Sequence, residues 1–253
     1  MPKTDITAHI VVKNEPFVAY AIKSVYDYCD SILLYDTGST DHTLEDIQQL
    51  IKEDVDKKII FKQIQLGFDE EKWSLSGLQT FIDTNAGKMS VGKCRQMQLD
   101  ETKTKFALLV DGDEIYHRSA IKKIATELVP NFPKDKLAVG FPLTWFYDLK
   151  HTFTAHTFPY NGRLLVNDAL YMSADSPNEQ HLIKGSGDFF TYEHPNYLIY
   201  DCITPYAHFE TVFRPWRRKA MVPANNVKPF TGTFPEVMIE NPTYLERYKR
   251  ENA

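Results

Sequence analysis

The chain has 253 residues, 43% of them hydrophobic and 25% charged, with a net charge of −5; this describes a globular protein and excludes collagen-like, disordered and broadly nucleic-acid-coating classes. Cys29, Cys94 and Cys202 lie too far apart for a zinc site or a disulfide scaffold and read as reduced core thiols. No run of 18 apolar residues occurs, and the apolar stretch near the N-terminus suits a strand better than a signal peptide, so the expectation is a cytoplasmic protein without a transmembrane segment.

In chain order, "ITAHIVV" (6–12) reads as a buried strand and "PFVAYAIKSVYDY" (16–28) as a helix with Val18, Ala21, Ile22 and Val25 on one face. "SILLYD" (31–36) is a second strand, and "TLEDIQQLIKED" (43–54) a second helix, with Thr43 and Asp46 spaced as a capping box. "KIIFKQIQL" (58–66) gives a third strand, "VGKCRQMQLDETK" (91–103) a helix, and "KFALLV" (105–110) a fourth strand. "AIKKIATEL" (120–128) reads as a further helix, which argues against a hairpin at the Asp111-Gly112 dipeptide. Such alternation specifies a mainly parallel sheet whose ligands bind beyond the carboxyl ends of the strands, where Asp36, Asp111 and Asp113 fall.

The second half has short strand-like runs at 137–146, 163–172 and 196–203, expected as antiparallel additions covering a cleft, and a terminal helix in "TYLERYKREN" (243–252). The expected organisation is a single domain over 1–220, with a ligand-binding half at 1–118 and a second half at 119–220, followed by an extension at 221–253.

The stretch "FALLVDGDEIYH" (106–117) ends an apolar strand in Asp111, Asp113 and Glu114. Two carboxylates one residue apart at a strand end suit a hard divalent cation, Mg²⁺ or Mn²⁺, which shares its remaining positions with water and substrate phosphates. The structural alternative is an acidic turn that caps the next helix. Asp36 is placed to accept hydrogen bonds from a ribose or base, and within "DTGSTD" it also sits in a helix-capping turn where Gly38 serves the bend.

"VVKNEPFVAYAIKSVYDYCDSILLYDTGSTDHT" (11–43), the arginine of "GKCRQ" (92–96) and the Asp-x-Asp at 111–113 together resemble family 2 glycosyltransferases in order and spacing over 9–118. His42 departs from the glycine common there. The resemblance implies a GT-A-like fold, α/β with helices on both faces of a mainly parallel sheet, that binds a nucleoside-diphosphate sugar, a UDP-sugar first among them. It implies donor contacts from Val12, Asn14, Glu15, Asp36, Arg95 and Asp111. Asp113 becomes the direct ligand of Mn²⁺ or Mg²⁺, and Asp111 reaches the ribose, or the metal through water. A late histidine, His208, completes the metal site.

Arg217, with Arg214, Arg218 and Lys219 in "RPWRRK", is expected over the diphosphate, the bland reading being a solvated basic face. An inverting transfer needs one carboxylate base; Asp175, Glu179, His181 and Asp188 occupy the polar stretch 173–188, and Glu179 is the choice. Trp145, Phe146, Tyr147, Tyr160 and Trp216 are read as core aromatics. The acceptor class stays open among a surface glycan, a protein, a small molecule and a hydroxylated base in phage DNA. The competing functions are a nucleotide-sugar- or glycan-binding module without catalysis and a nucleotidyltransferase, although "VKNEPF" lacks the glycine-rich phosphate loop that the latter wants.

Overall fold

The computed structural model describes residues 3–65, 89–154, 161–172, 181–184, 193–201, 203–213 and 226–252. Strands β1 (Ile6–Val12), β2 (Ser31–Asp36) and β4 (Phe106–Asp111) form the centre of the molecule. Successive side chains of a strand point to opposite faces, so each of these strands buries two sets. On one face Ile6, Ala8, Ile10, Ile32, Leu34, Leu108 and Val110 pack with Val18, Ala21, Ile22 and Val25 of α1 (Val18–Val25) and with Ile47 and Leu50 of α2 (Thr43–Glu53). On the other, Leu33 and Tyr35 meet Cys94, and Ala107 and Leu109 meet Leu99, both from α3 (Val91–Glu101). Helices therefore cover both faces.

With β3 (Ile59–Gln63), β6 (Ala138–Phe141), β9 (Asn161–Val166) and β12 (Tyr197–Ile199), the central sheet runs in the order β12-β6-β9-β4-β1-β2-β3. Every pairing that avoids β9 is parallel, whereas β9 runs antiparallel to both β4 and β6. The first residues of β9 therefore lie beside the last residues of β4. A second sheet is made of β5 (Glu114–Tyr116), β7 (Leu143–Asp148), β8 (His151–Phe153), β13 (Tyr206–His208) and β14 (Val227–Pro229), in the order β14-β8-β7-β13-β5. A two-stranded ribbon pairs β10 (Leu170–Met172) with β11 (His181–Ile183).

Local chemistry departs from expectation in several places. The first helix stops at Val25 and passes into a 3₁₀ turn over Tyr26–Tyr28. The capping box does not form: the Thr43 hydroxyl accepts the backbone N–H of Glu15 at 2.8 Å, and Asp46 pairs with Arg247. The helix expected at 120–128 begins as α4 (Arg118–Lys123) and widens into a π-helical segment, Ile124–Leu128. The run 137–146 divides between β6 and β7, which belong to different sheets.

In the C-terminal stretch, β14 pairs with β8, while α5 (Glu236–Glu240) and α6 (Thr243–Glu251) dock on α1. Phe17, Tyr20, Phe146 and Phe209 form a cluster with Phe230, Phe234, Met238, Tyr244 and Tyr248. Aromatic pairs there meet mostly edge to face, as between Phe17 and Tyr248 at 5.5 Å and between Tyr20 and Tyr244 at 5.3 Å, the geometry that ring quadrupoles favour. The described part of 221–253 thus belongs to the packed body of the molecule. No helix among the described residues is long and apolar enough to cross a membrane.

Candidate active site

At the end of β4 the chain turns through Gly112 and Asp113 and enters β5, which pairs with β13 of the second sheet and not with β4. The acidic stretch is thus the crossing between the two sheets, and the hairpin alternative is absent. Gly112 permits the crossing: a Cβ there would stand 2.7 Å from Cγ of Glu15 and 2.8 Å from Cγ1 of Val12, closer than packed atoms tolerate. The turn therefore lies against the end of β1.

The three carboxylates have three environments. Asp111 keeps about a third of its side chain exposed, and each of its oxygens takes one guanidinium: Oδ1 accepts from Arg95 at 2.7 Å and Oδ2 from Arg163 at 2.8 Å. Asp113 is buried, with Oδ1 3.4 Å from Nε2 of His208. Glu114 is fully buried; its Oε2 accepts the backbone N–H of Asp111 at 3.1 Å and its Oε1 a guanidinium N–H of Arg163 at 2.5 Å. The repulsion among the acids is thus offset first by protein cations.

Their titration follows. Burial opposes ionisation of Asp111, but Arg163 and Arg95 outweigh it and hold the carboxyl below its usual range. At Glu114 burial prevails over Arg163 and, with the Asp111 charge beside it, pushes the carboxyl up to about 7. Burial would lower His208, yet Asp113 above all, then Glu114 and Asp111, raise it.

Arg95 reaches Asp111 from below. It is fully buried on α3, where Nη1 donates to the carbonyl of His9 at 2.7 Å and Nη2 to Asp111. Arg95 has no exposed surface, so it faces the cleft through the carboxylate it holds. Next to it, Thr102 donates to the carbonyl of Gln98, so Nε2 of His9 is the donor in its 2.5 Å bond to Thr102. Burial, with the charge of Arg95, keeps that imidazole neutral by lowering its pKa well below the ordinary value.

On the other side of the turn, Asn14 adopts the left-handed region at φ 54°, which Asn tolerates better than most residues. Its backbone N–H donates to the Ser39 hydroxyl at 2.9 Å, and its side-chain oxygen accepts from the Thr40 N–H at 2.7 Å. The Val12 carbonyl accepts from both the N–H and the hydroxyl of Thr37 at 2.9 Å. Asp36 is buried and caps its own turn, accepting from the N–H groups of Gly38 and Ser39 at 3.1 and 3.2 Å, while Gly38 takes φ 105°. The two loops after β1 and β2 are therefore tied together beside Gly112.

The fold unites Val12, Asn14, Glu15, Asp36, Asp111, Asp113 and His208 at the carboxyl end of the parallel strands. Glu179, Asp175, Asp188, Arg217 and the rest of "RPWRRK", with Tyr160, Trp216 and Cys202, lie outside the described residues, as does the side chain of His181. Trp145 is not purely a core residue, since its half-buried indole lies 4.3 Å from the His208 ring, whereas Phe146 is core. Sequence reasoning missed Arg163. The signal was an arginine inside the apolar strand "NGRLLV", because a cation there has to be paired.

Among the described residues no three His, Cys, Asp or Glu side chains are drawn together as a metal-ligand set. Asp113 and His208 nevertheless offer an oxygen and a nitrogen 3.4 Å apart, close to the roughly 3 Å separating neighbouring ligands of an ion with bonds of about 2.1 Å. The pair fits a cation such as Mn²⁺; Asp111, occupied by two guanidiniums, fits less directly.

The fold is α/β, with a mainly parallel sheet, helices on both of its faces and antiparallel strands in the second half, as expected from the sequence. No protein-family model and no curated protein matches the chain. Similar solved structures include TarS 1-349 of S. aureus, 12% identical, covering 80% of this chain and 60% of that one at a TM-score of 0.47. The mannosyltransferase PcManGT from Pyrobaculum calidifontis, in complex with GDP-Man and Mn²⁺, is 11% identical over 87% of this chain and 63% of that one, TM-score 0.48. GalNAc-T7 with UDP, GalNAc and Mn²⁺ is 13% identical over 55% and 22%, TM-score 0.38. The chain spans less than two thirds of the length of each.

Proposed function

We propose that this protein is a glycosyltransferase that moves a sugar from a nucleoside-diphosphate donor, a UDP-sugar first among the candidates, to an acceptor hydroxyl, with inversion and with Mn²⁺ or Mg²⁺. The observation that carries the reading is the buried Asp113–His208 pair, 3.4 Å apart at the end of β4 and beside the linked loops that hold Asn14 and Asp36.

In this reading Asp113 and His208 hold the cation, whose charge would favour departure of the diphosphate. Val12, Asn14, Glu15 and Asp36 form the nucleoside side of the cleft. Asp111 keeps its exposed edge for a ribose hydroxyl, and the two arginines prevent it from swinging or taking up a proton. The acceptor hydroxyl gives its proton to Glu179 as its oxygen bonds the anomeric carbon; the bond from that carbon to the diphosphate oxygen breaks, and the nucleoside diphosphate leaves. Arg217 and its basic neighbours are assigned to the departing charge.

A thermal-shift screen of nucleotide sugars with Mn²⁺ tests donor binding: the matching donor at about a hundredfold excess over Kd should raise Tm by roughly 5–10 °C. Mn²⁺-dependent hydrolysis of that donor should fall at least about 10³-fold in Asp113→Ala. A binding module would show the shift without the hydrolysis. Glu179→Gln should keep donor binding and lose transfer; full turnover in that variant removes the assignment of the base.

A further inference from the structure

We infer that Glu114 is a positioning carboxylate for His208: it accepts the Nδ1–H of the imidazole when Nε2 faces a cation shared with Asp113, and Arg163 holds it in place for that task. This rests on the proposed role of Asp113 and His208 as cation ligands.

The register makes the arrangement. In the β5–β13 pairing Glu114 stands directly opposite His208, so the two side chains share a face of the second sheet. The ring is bracketed by carboxylates, with Nε2 3.4 Å from Asp113 and Nδ1 3.8 Å from Oε1 of Glu114. That Nδ1 is buried and makes no hydrogen bond among the described residues, so it is a donor position with an acceptor about 1 Å beyond reach. The indole of Trp145 covers the ring at 4.3 Å, tilted by 32°, which favours adjustment within the plane of the imidazole.

Glu114 cannot swing away to serve anything else. Its Oε2 is fixed by the Asp111 backbone N–H and its Oε1 by Arg163, which is itself held by Oδ2 of Asp111 and, through Nε at 3.4 Å, by the Tyr206 hydroxyl. A carboxylate oxygen carries two lone pairs, so Oε1, which accepts one N–H from Arg163, retains capacity for Nδ1–H. Histidines that ligate metals generally donate their other ring N–H to such a group, which fixes tautomer and ring orientation and strengthens the ligand.

Binding of Mn²⁺ alone to the full chain, followed by electron paramagnetic resonance of the free ion and by calorimetry, tests this. The unaltered protein should bind, Asp113→Ala should not, and Glu114→Gln should bind about 10- to 100-fold more weakly while keeping its circular dichroism. Arg163→Lys should weaken binding less than Glu114→Gln does. Unchanged affinity in a folded Glu114→Gln variant overturns the inference. Equal binding by the unaltered protein and Asp113→Ala, or none by either, overturns the metal reading beneath it. If Glu114→Gln does not fold, a crystal structure of the unaltered protein with Mn²⁺ decides: Nδ1 and Oε1 should close to about 2.8 Å, and Nδ1 bonded to another acceptor sinks the proposal.

Discussion

The two halves of the molecule store their chemistry differently. In the first, the candidate site residues stand at the ends of adjacent parallel strands, and short local motifs specify them: Asn14 after β1, Asp36 closing β2, Asp111 closing β4 and Asp113 just beyond it. In the second, Arg163 and His208 arrive through strand register, each on a strand whose local sequence carries no motif. The difference teaches that the acidic crossing is written in one half and neutralised partly by the other. Neither half holds a complete site.

The largest expected effect tests that division. Arg163→Met takes a cation from fully buried Glu114 and from one oxygen of Asp111, and should destabilise the protein by about 3–5 kcal/mol, as loss of one partner from a buried pair does. Chemical denaturation measures it. A cost under about 1 kcal/mol, typical of an exposed pair, would mean that the first half manages its own charge.

Gly112→Ala probes the first half alone. The added Cβ meets Glu15 and Val12 below 3 Å, so a loss of about 1–3 kcal/mol is expected, lowering Tm by several degrees and weakening donor binding together. Should only one of the two move, the crossing and the donor loop are not packed as a unit.

His9 gives a pH test. Its folded pKa lies well below 6.5, so below 6.5 the unfolded chain binds a proton that the folded one refuses. The His9 contribution is therefore full above that value and falls as pH drops, by up to about 1.4 kcal/mol per pH unit. Glu114, raised to about 7, and His208, also raised, act in the opposite sense over the same range, so the His9 share is read as the difference in slope between the unaltered protein and His9→Asn in denaturation curves from pH 7 to 5. The smallest effect belongs to Arg247→Ala, which breaks a partly exposed pair with Asp46 and should cost about 1 kcal/mol with no change in Mn²⁺ affinity. A changed affinity would link the C-terminal helices to the site.

Legibility in the sequence follows the same division. The strands and helices of 6–111 are readable because apolar periodicity and strand ends coincide there, and Asp36 serves the turn chemistry read from "DTGSTD". The Thr43–Asp46 capping box fails because tertiary partners, the Glu15 N–H and Arg247, take both side chains. Nothing in the local sequence around Arg95 signals its burial, yet packing against β1 buries it completely. The splitting of 137–146 between two sheets has no local sign, since one extended run of residues satisfies either pairing.

The grip of the C-terminal helices on α1 carries a consequence for biosynthesis. The Tyr20 hydroxyl donates to the carbonyl of Asn241 and accepts the N–H of Leu245, partners 221 and 225 residues away. At about 5–20 residues per second, a ribosome needs roughly 10–45 s to bridge that gap. Throughout that interval the nascent chain carries Phe17 and Tyr20 without the C-terminal partners that later cover them.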